Sequence, residues 1–233
     1  MKGGVNHLFL SLGMKITKKR FVLIALFIFP LVFFLILSTG VVNWTKLPTL
    51  TEGVADLNKV DSTQTVSFRN KVTVLTFLGT DIDGIKGGIF NLNQKIYKSF
   101  YGHIAFQSVA VYPESEQSEV DKLKKKIARF TNMEKWKFIP LPEEKIASLF
   151  TSLKTTENLS GYYSNRAFII DKDLKLRGRN DDKDMLNGLL YGYNMNSVAE
   201  LNNKMEDDIK VLLYEYRAAF KDKRKADRKK VEL

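Results

Sequence analysis

The chain has 233 residues, of which 44% are hydrophobic and 27% are charged. This is globular composition, and the length suits one domain once the first forty-odd residues are set aside. The absence of cysteine excludes disulfides, thiolate metal sites, lipoprotein anchoring and all thiol chemistry. The net charge of +11 is concentrated before residue 21 and between Arg217 and Lys230, which suggests contact with anionic lipid or an acidic partner. Nucleic acid is a competing interpretation of the basic tail, but it does not suit a domain across a membrane.

An uncharged apolar segment, FVLIALFIFPLVFFLILSTGVV, occupies residues 21–42. As a helix it would rise about 33 Å, enough to cross the hydrocarbon core of a bilayer. A buried core helix would need a polar face that this segment lacks. Basic residues crowd before it, whereas only Lys46 and Lys59 follow soon after, so we predict a cytoplasmic N-terminus. A cleaved signal peptide is the alternative, although the apolar region is long for one.

The chain is therefore divided into five predicted segments. They are a basic cytoplasmic N-terminus at 1–20, a transmembrane helix at 21–42, a linker at 43–64, an extracytoplasmic domain at 65–215 and a basic C-terminal helix or tail at 216–233.

Apolar periodicity within the domain predicts alternating strands and helices. Lys71–Leu78 is rich in β-branched residues and nearly continuously apolar, as in a strand buried on both faces. Further strands are predicted at 103–111, 137–141, 166–170 and 174–179, and helices at 89–100, 114–130, 143–153 and from about 197 into the tail. Asp171-Lys172-Asp173 indicates a β-hairpin between the last two strands. The order β-α-β-α-β-α-β-β-α predicts an α/β, thioredoxin-like domain, with a central mixed sheet flanked by helices.

Four segments carry a resemblance to a known family. They read KVTVLTFLGTDIDGIKGGIFNLNQKIY, HIAFQSVAVYPESEQSEVDKLKKKIARF, WKFIPL and NRAFIIDKDLKL. Together they resemble the Sco/SenC family of membrane-anchored, thioredoxin-fold copper chaperones of cytochrome oxidase, over residues 65–215 and the N-terminal anchor. The resemblance implies a copper site of two cysteines spaced four apart and a distal histidine.

The residues that match those three ligands are Asp81, Ile85 and Tyr163. A carboxylate, an alkyl group and a phenol cannot replace the soft thiolate and imidazole donors that Cu(I) prefers. The chain is thus identified as a degenerate Sco-like protein, which keeps the scaffold and not the copper site. No catalytic residue, cofactor or resident metal is predicted.

Two acidic clusters are candidate metal sites. Asp81 and Asp83, in TDIDG, resemble the start of a calcium loop, but Lys86 follows and the later glutamate is missing, so capping of a strand-to-helix loop is favoured. The second cluster consists of Asp181, Asp182 and Asp184, which would hold a divalent cation or remain solvated loop charge. With His7 and His103 as the only histidines, no Ser-His-Asp triad is expected.

Aromatic residues with polar tips are candidates for a partner-binding surface, since such side chains suit interfaces. These candidates are Tyr162, Tyr163, Tyr191, Tyr193, Tyr216 and Phe220. Ordinary packing at the edge of the domain is the alternative. The basic tail that follows them is a candidate for contact with anionic lipid.

Two functional hypotheses follow. The first is a non-catalytic protein in the bacterial inner membrane, with its main domain in the periplasm, acting by protein–protein contact in respiratory-oxidase assembly or another envelope complex. The oxidase link is implied by the resemblance alone. The second is a metal-binding or enzymatic domain with oxygen ligands near Asp81 and Asp83 or in the cluster at 181–184.

Overall fold

The computed structural model describes the backbone of residues 18–38 and 46–231, without the side chains of 20, 21, 37, 38, 222, 223 and 225–231. Two compact units divide the chain, one ending at Trp44 and the other beginning at Thr45. The remaining parts of the predicted segments 1–20, 21–42 and 43–64 lie outside the described residues.

The first unit contains a single described helix, α1 (Lys18–Ser38), which includes Pro30. Its described side chains from Val22 to Ile36 are all exposed. Among the residues with a described placement, no helix is long and apolar enough to cross a membrane. The transmembrane helix therefore stays a prediction.

The second unit is built on one mixed sheet. Its strands are β1 (Thr49–Thr51), β2 (Val72–Leu78), β3 (Phe106–Pro113), β4 (Trp136–Leu141), β5 (Tyr163–Ile170), β6 (Leu176–Arg177) and β7 (Tyr193–Asn194). They lie in the order β1-β6-β5-β2-β3-β4, with β7 also paired to β5. β2, β3 and β4 are parallel, whereas β5, β6 and β1 pair antiparallel. The predicted central mixed sheet of an α/β domain is confirmed.

Helices cover both faces of this sheet. They are α2 (Leu57–Val60), α3 (Lys86–Leu92), α4 (Lys98–Phe100), α5 (Gln117–Ala128), α6 (Glu143–Ser152), α7 (Val198–Glu200) and α8 (Glu206–Val231). A π-helical turn (Asn93–Tyr97) joins α3 to α4, and another (Leu201–Met205) joins α7 to α8. A short 3-10 helix (Glu114–Glu116) precedes α5.

Side-chain alternation along β2 divides the core into two layers. Val72, Val74 and Leu78 contribute to one layer, whereas Leu75 and Phe77 contribute to the other. Every residue of β2 is buried, because successive side chains of a strand point to opposite faces and helices cover both. The prediction of a strand buried on both faces is confirmed.

The predicted linker at 43–64 is wrong from residue 46 onward. Leu47, Val54 and Leu57 are buried, and Thr49–Thr51 extends the sheet by pairing with β6. These apolar residues are widely spaced among polar ones, so the sequence shows no hydrophobic periodicity here, although each of them is buried in the core.

Several predicted boundaries also need correction. The strand predicted at 103–111 begins at Phe106, since His103 lies in the turn that ends α4 and donates its N–H to the Phe100 carbonyl over 2.9 Å. The helix predicted at 89–100 begins at Lys86. The hairpin at Asp171 is confirmed, because β5 and β6 pair antiparallel on its two sides. The Asp171 carboxylate stabilises the turn by accepting the N–H groups of Asp173 and Lys175.

Candidate functional site

A small cavity of about 220 Å³ lies where β2 ends. It is lined by Thr80, Asp81, Gly84, Ile85, Ser160, Gly161 and Tyr163. The three residues that match the copper ligands of the resembled family are therefore brought together at one place. Two loops form this cavity, one at 79–85 and one at 160–163.

The first loop leaves β2 through Gly79, which has φ of +67°. A Cβ atom here would lie 2.5 Å from the Tyr163 Cβ and 2.8 Å from the Gly161 carbonyl oxygen. The two loops thus approach too closely for any side chain at this position. Beyond the glycine, the Asp81 carboxylate accepts the Gly84 N–H over 2.9 Å. Asp81 caps the loop as predicted, while Ile85 is buried in the core.

The second loop is a two-residue hairpin turn. Ser160 and Tyr163 exchange backbone hydrogen bonds of 2.9 Å, and Gly161 and Tyr162 have φ of +54° and +60°. Two successive positive φ values are typical of a type I′ turn. For a tyrosine this conformation costs about 1–2 kcal/mol, and such strained residues concentrate at functional sites.

Tyr162 lines a second, wider groove beside the cavity. This groove has a volume of about 450 Å³ and is lined by Ala147, Phe150, Thr151, Leu159, Gly161 and Tyr162. The Glu143 carboxylate interacts with the Tyr162 hydroxyl and raises the pKa of the phenol. Gly161 belongs to both cavities, so the hairpin turn forms a ridge between them.

The polar side chains that line the first cavity carry two hydroxyls, one carboxylate and one phenol, and Ile85 adds an alkyl group. Burial raises the pKa of Tyr163, and the Asn196 side chain partly offsets this effect, so the phenol is protonated at neutral pH. These groups can donate and accept hydrogen bonds, but they supply neither a thiolate nor an imidazole. They therefore do not suit Cu(I).

Lysines form ion pairs with aspartates of both acidic clusters. Lys204 lies 2.7 Å from carboxylate oxygens of both Asp182 and Asp184, and its ammonium lowers the pKa of Asp182 against the effect of burial. Asp83 forms an ion pair with Lys86. Within the described part of the chain, no group of three or more acidic, histidine or cysteine residues is arranged to hold a metal ion.

The candidate aromatic residues do not form one surface. Tyr193 is fully buried and donates its hydroxyl to Asp208 over 2.6 Å, so it is a core residue and its prediction as a partner-binding residue is wrong. Tyr191 is partly buried against the core layer that contains Phe77. The Tyr216 hydroxyl accepts the Lys172 N–H over 3.2 Å.

Only some of these candidates remain accessible. Tyr162 and Tyr163 line the two cavities, and Phe220 on α8 is 62% exposed. The sequence analysis did not identify Phe150 and Leu159, which complete the groove, or Asn196, whose side chain influences the pKa of Tyr163. The only local signal for the turn was the dipeptide Ser160-Gly161, a combination common in loops.

No family model matches the chain, and no curated protein matches it. Solved structures with a similar course of the chain include BsSco, a member of the Sco family of cytochrome c oxidase assembly proteins. It is 14% identical, with a TM-score of 0.44 and coverage of 71% of this chain and 94% of that one.

Two further solved structures are similar. An SCO1/SenC family lipoprotein from Bacillus anthracis is 16% identical, with a TM-score of 0.43 and coverage of 74% of this chain and 96% of that one. A thiol:disulfide interchange protein from a Bacteroides species is 16% identical, with a TM-score of 0.36 and coverage of 57% of this chain and 76% of that one. At these identities and TM-scores, the activities of the three proteins are not assigned to this chain.

Proposed function

We propose that this protein is a membrane-anchored, non-catalytic, Sco-like protein that acts by protein–protein contact. The observation that carries the proposal is the composition of the cavity at the end of β2. Asp81, Ile85 and Tyr163 occupy the positions that match the ligands of the resembled family and line one cavity, but none of them is a soft donor or a nucleophilic thiol.

The contact surface in this proposal is the ridge formed by the turn at 160–163 with the cavities on its two sides. Phe150, Leu159 and Tyr162 give the groove an apolar wall, whereas Asp81 and Ser160 give the neighbouring cavity a polar one. Aromatic groups beside hydrogen-bonding groups are typical of the energetically important part of protein interfaces.

The location is proposed from the sequence. The apolar segment at 21–42, with the basic residues before it, supports an anchor in the bacterial inner membrane and a periplasmic domain. The resemblance supports a role as an accessory or subunit of respiratory-oxidase assembly or another envelope complex. The metal-binding alternative has less support, because lysines occupy the positions that a cation would take beside Asp83 and beside Asp182.

Purification from native membranes in mild detergent tests this proposal. We expect companion proteins to be retained by the natural chain and lost from Ser160→Arg, since Ser160 is exposed and lines the cavity. Ser99→Arg is the matched control, because Ser99 is exposed on α4, at the opposite end of the parallel strands. Equal recovery of companions with both variants would refute the proposed surface.

A further inference from the structure

Leu47, near the start of the second unit, is hydrogen-bonded to the middle of α8. The Leu47 N–H donates to the Glu215 carboxylate over 2.6 Å, and the Leu47 carbonyl accepts from the Arg177 Nε over 3.0 Å. Arg177 in turn binds Asp171 over 3.0 Å and Glu215 over 2.9 Å. Because Leu47, Arg177 and Asp171 are all buried, this cluster is a rigid attachment.

The attachment fixes α8 to the domain at Glu215, and the turns that follow Glu215 extend beyond it.

Those turns are basic and exposed. Arg217, Lys221 and Arg224 are exposed and recur at helical spacing on one side of α8. Phe220 is 62% exposed, and the Arg224 guanidinium lies 5.9 Å from the centre of its ring. An exposed aromatic among arginines and lysines is typical of helices that lie at the surface of anionic membranes. The helix backbone continues to Val231, through further lysines and arginines in the sequence.

We infer that the basic stripe of Arg217, Lys221 and Arg224 binds the headgroups of anionic phospholipids, with Phe220 at the interface, an inference that rests on the proposed anchor. Charge complementarity, together with the exposed Phe220 ring among the basic side chains, identifies anionic lipid as the ligand. Each basic side chain near an anionic surface strengthens binding roughly fivefold. Three contacts together therefore contribute on the order of 100-fold.

The full chain in lipid nanodiscs provides the test. Since the chain has no cysteine, Ala219→Cys, at an exposed position on α8, can be labelled with a single fluorophore and exposed to a lipid-borne quencher. We expect quenching in discs of phosphatidylcholine with phosphatidylglycerol, and little in discs of phosphatidylcholine alone. High salt should abolish the difference, because 1 M salt screens charges beyond about 3 Å.

Charge reversal identifies the residues responsible. Arg217→Glu, Lys221→Glu and Arg224→Glu together should reduce quenching to its value in neutral discs. The matched control reverses three exposed lysines elsewhere, Lys59, Lys125 and Lys137, and should leave quenching unchanged. Equal quenching in both disc types, as expected for a stripe that binds an acidic protein, would overturn the inference, and so would equal effects of the two triple variants.

Failure of the anchor gives a different result. A chain that does not enter neutral discs at all refutes the proposed anchor. Binding of the same labelled chain to phosphatidylglycerol vesicles, with and without the three reversals at 217, 221 and 224, then decides headgroup binding by itself. Binding that the reversals abolish supports it, and absence of binding overturns it.

Discussion

Replacing Arg177 by methionine is expected to lower the free energy of unfolding of the domain by about 3–5 kcal/mol, the usual cost of removing one partner from a buried ion pair. The side chains of Arg177 and Asp171 are only 9% and 2% exposed. The substitution leaves the Asp171 carboxylate without its cation, and removes a donor from the Leu47 carbonyl and from Glu215. Uncompensated buried charge and unsatisfied acceptors account for the expected loss.

Lys175 in the same hairpin provides the control. It forms an ion pair of 2.8 Å with Glu52, but these side chains are 36% and 74% exposed. Since exposed pairs contribute about 0–1 kcal/mol, Lys175→Met should have a small effect. Both core layers lie in the unit that begins at Thr45, so urea unfolding of a fragment covering 45–233 measures both variants. Equal losses for Arg177→Met and Lys175→Met would refute this reasoning.

Two further predictions concern the loops and the core. Gly79→Ala should destabilise the domain by about 2–4 kcal/mol, since it adds a clash with Tyr163 to the cost of a positive φ. The control is Gly53→Ala, which is also at positive φ but has nothing within 4 Å of the added Cβ, and it should cost only about 1 kcal/mol. Equal urea midpoints for the two variants would contradict this prediction. Burial raises the pKa of Tyr112 to about 12, so its phenol contributes stability that is fully present below pH 10 and is lost as the pH rises to about 12. Tyr112→Phe should weaken that alkaline loss in unfolding midpoints measured from pH 8 to 12, and an unchanged pH dependence would contradict the assignment.

Much of the fold could be predicted because its signals are local. The run that forms β2 is nearly continuously apolar, and the stripe of Val120, Leu123 and Ile127 on α5 follows a period of 3.6 residues; all of these residues are buried. The N-terminal strand could not be found in this way. Thr49–Thr51 has only three residues, and its pairing with Arg177 and Leu176 joins segments more than a hundred residues apart, so no local pattern reports it.

The candidate site, like the fold, could be predicted only in part from the sequence. The resemblance placed Asp81, Ile85 and Tyr163 at matching positions, and the fold brings them to one cavity. Burial of Tyr193 and the ion pairs of Lys204 depend on how the segment at 179–195 packs against α8 and the π-helical turn that precedes it. Such tertiary contacts leave no periodic signal, so a tyrosine in a polar context and a cluster of aspartates were both open to a functional interpretation.

Photo-crosslinking from the cavity tests most directly whether this scaffold works by protein contact. A photoreactive amino acid at position 160, in the full chain and in its native membrane, should give a defined adduct with a companion protein, and the same group at position 99 should give none. Absence of an adduct at 160, or an adduct of equal yield at 99, would contradict the account.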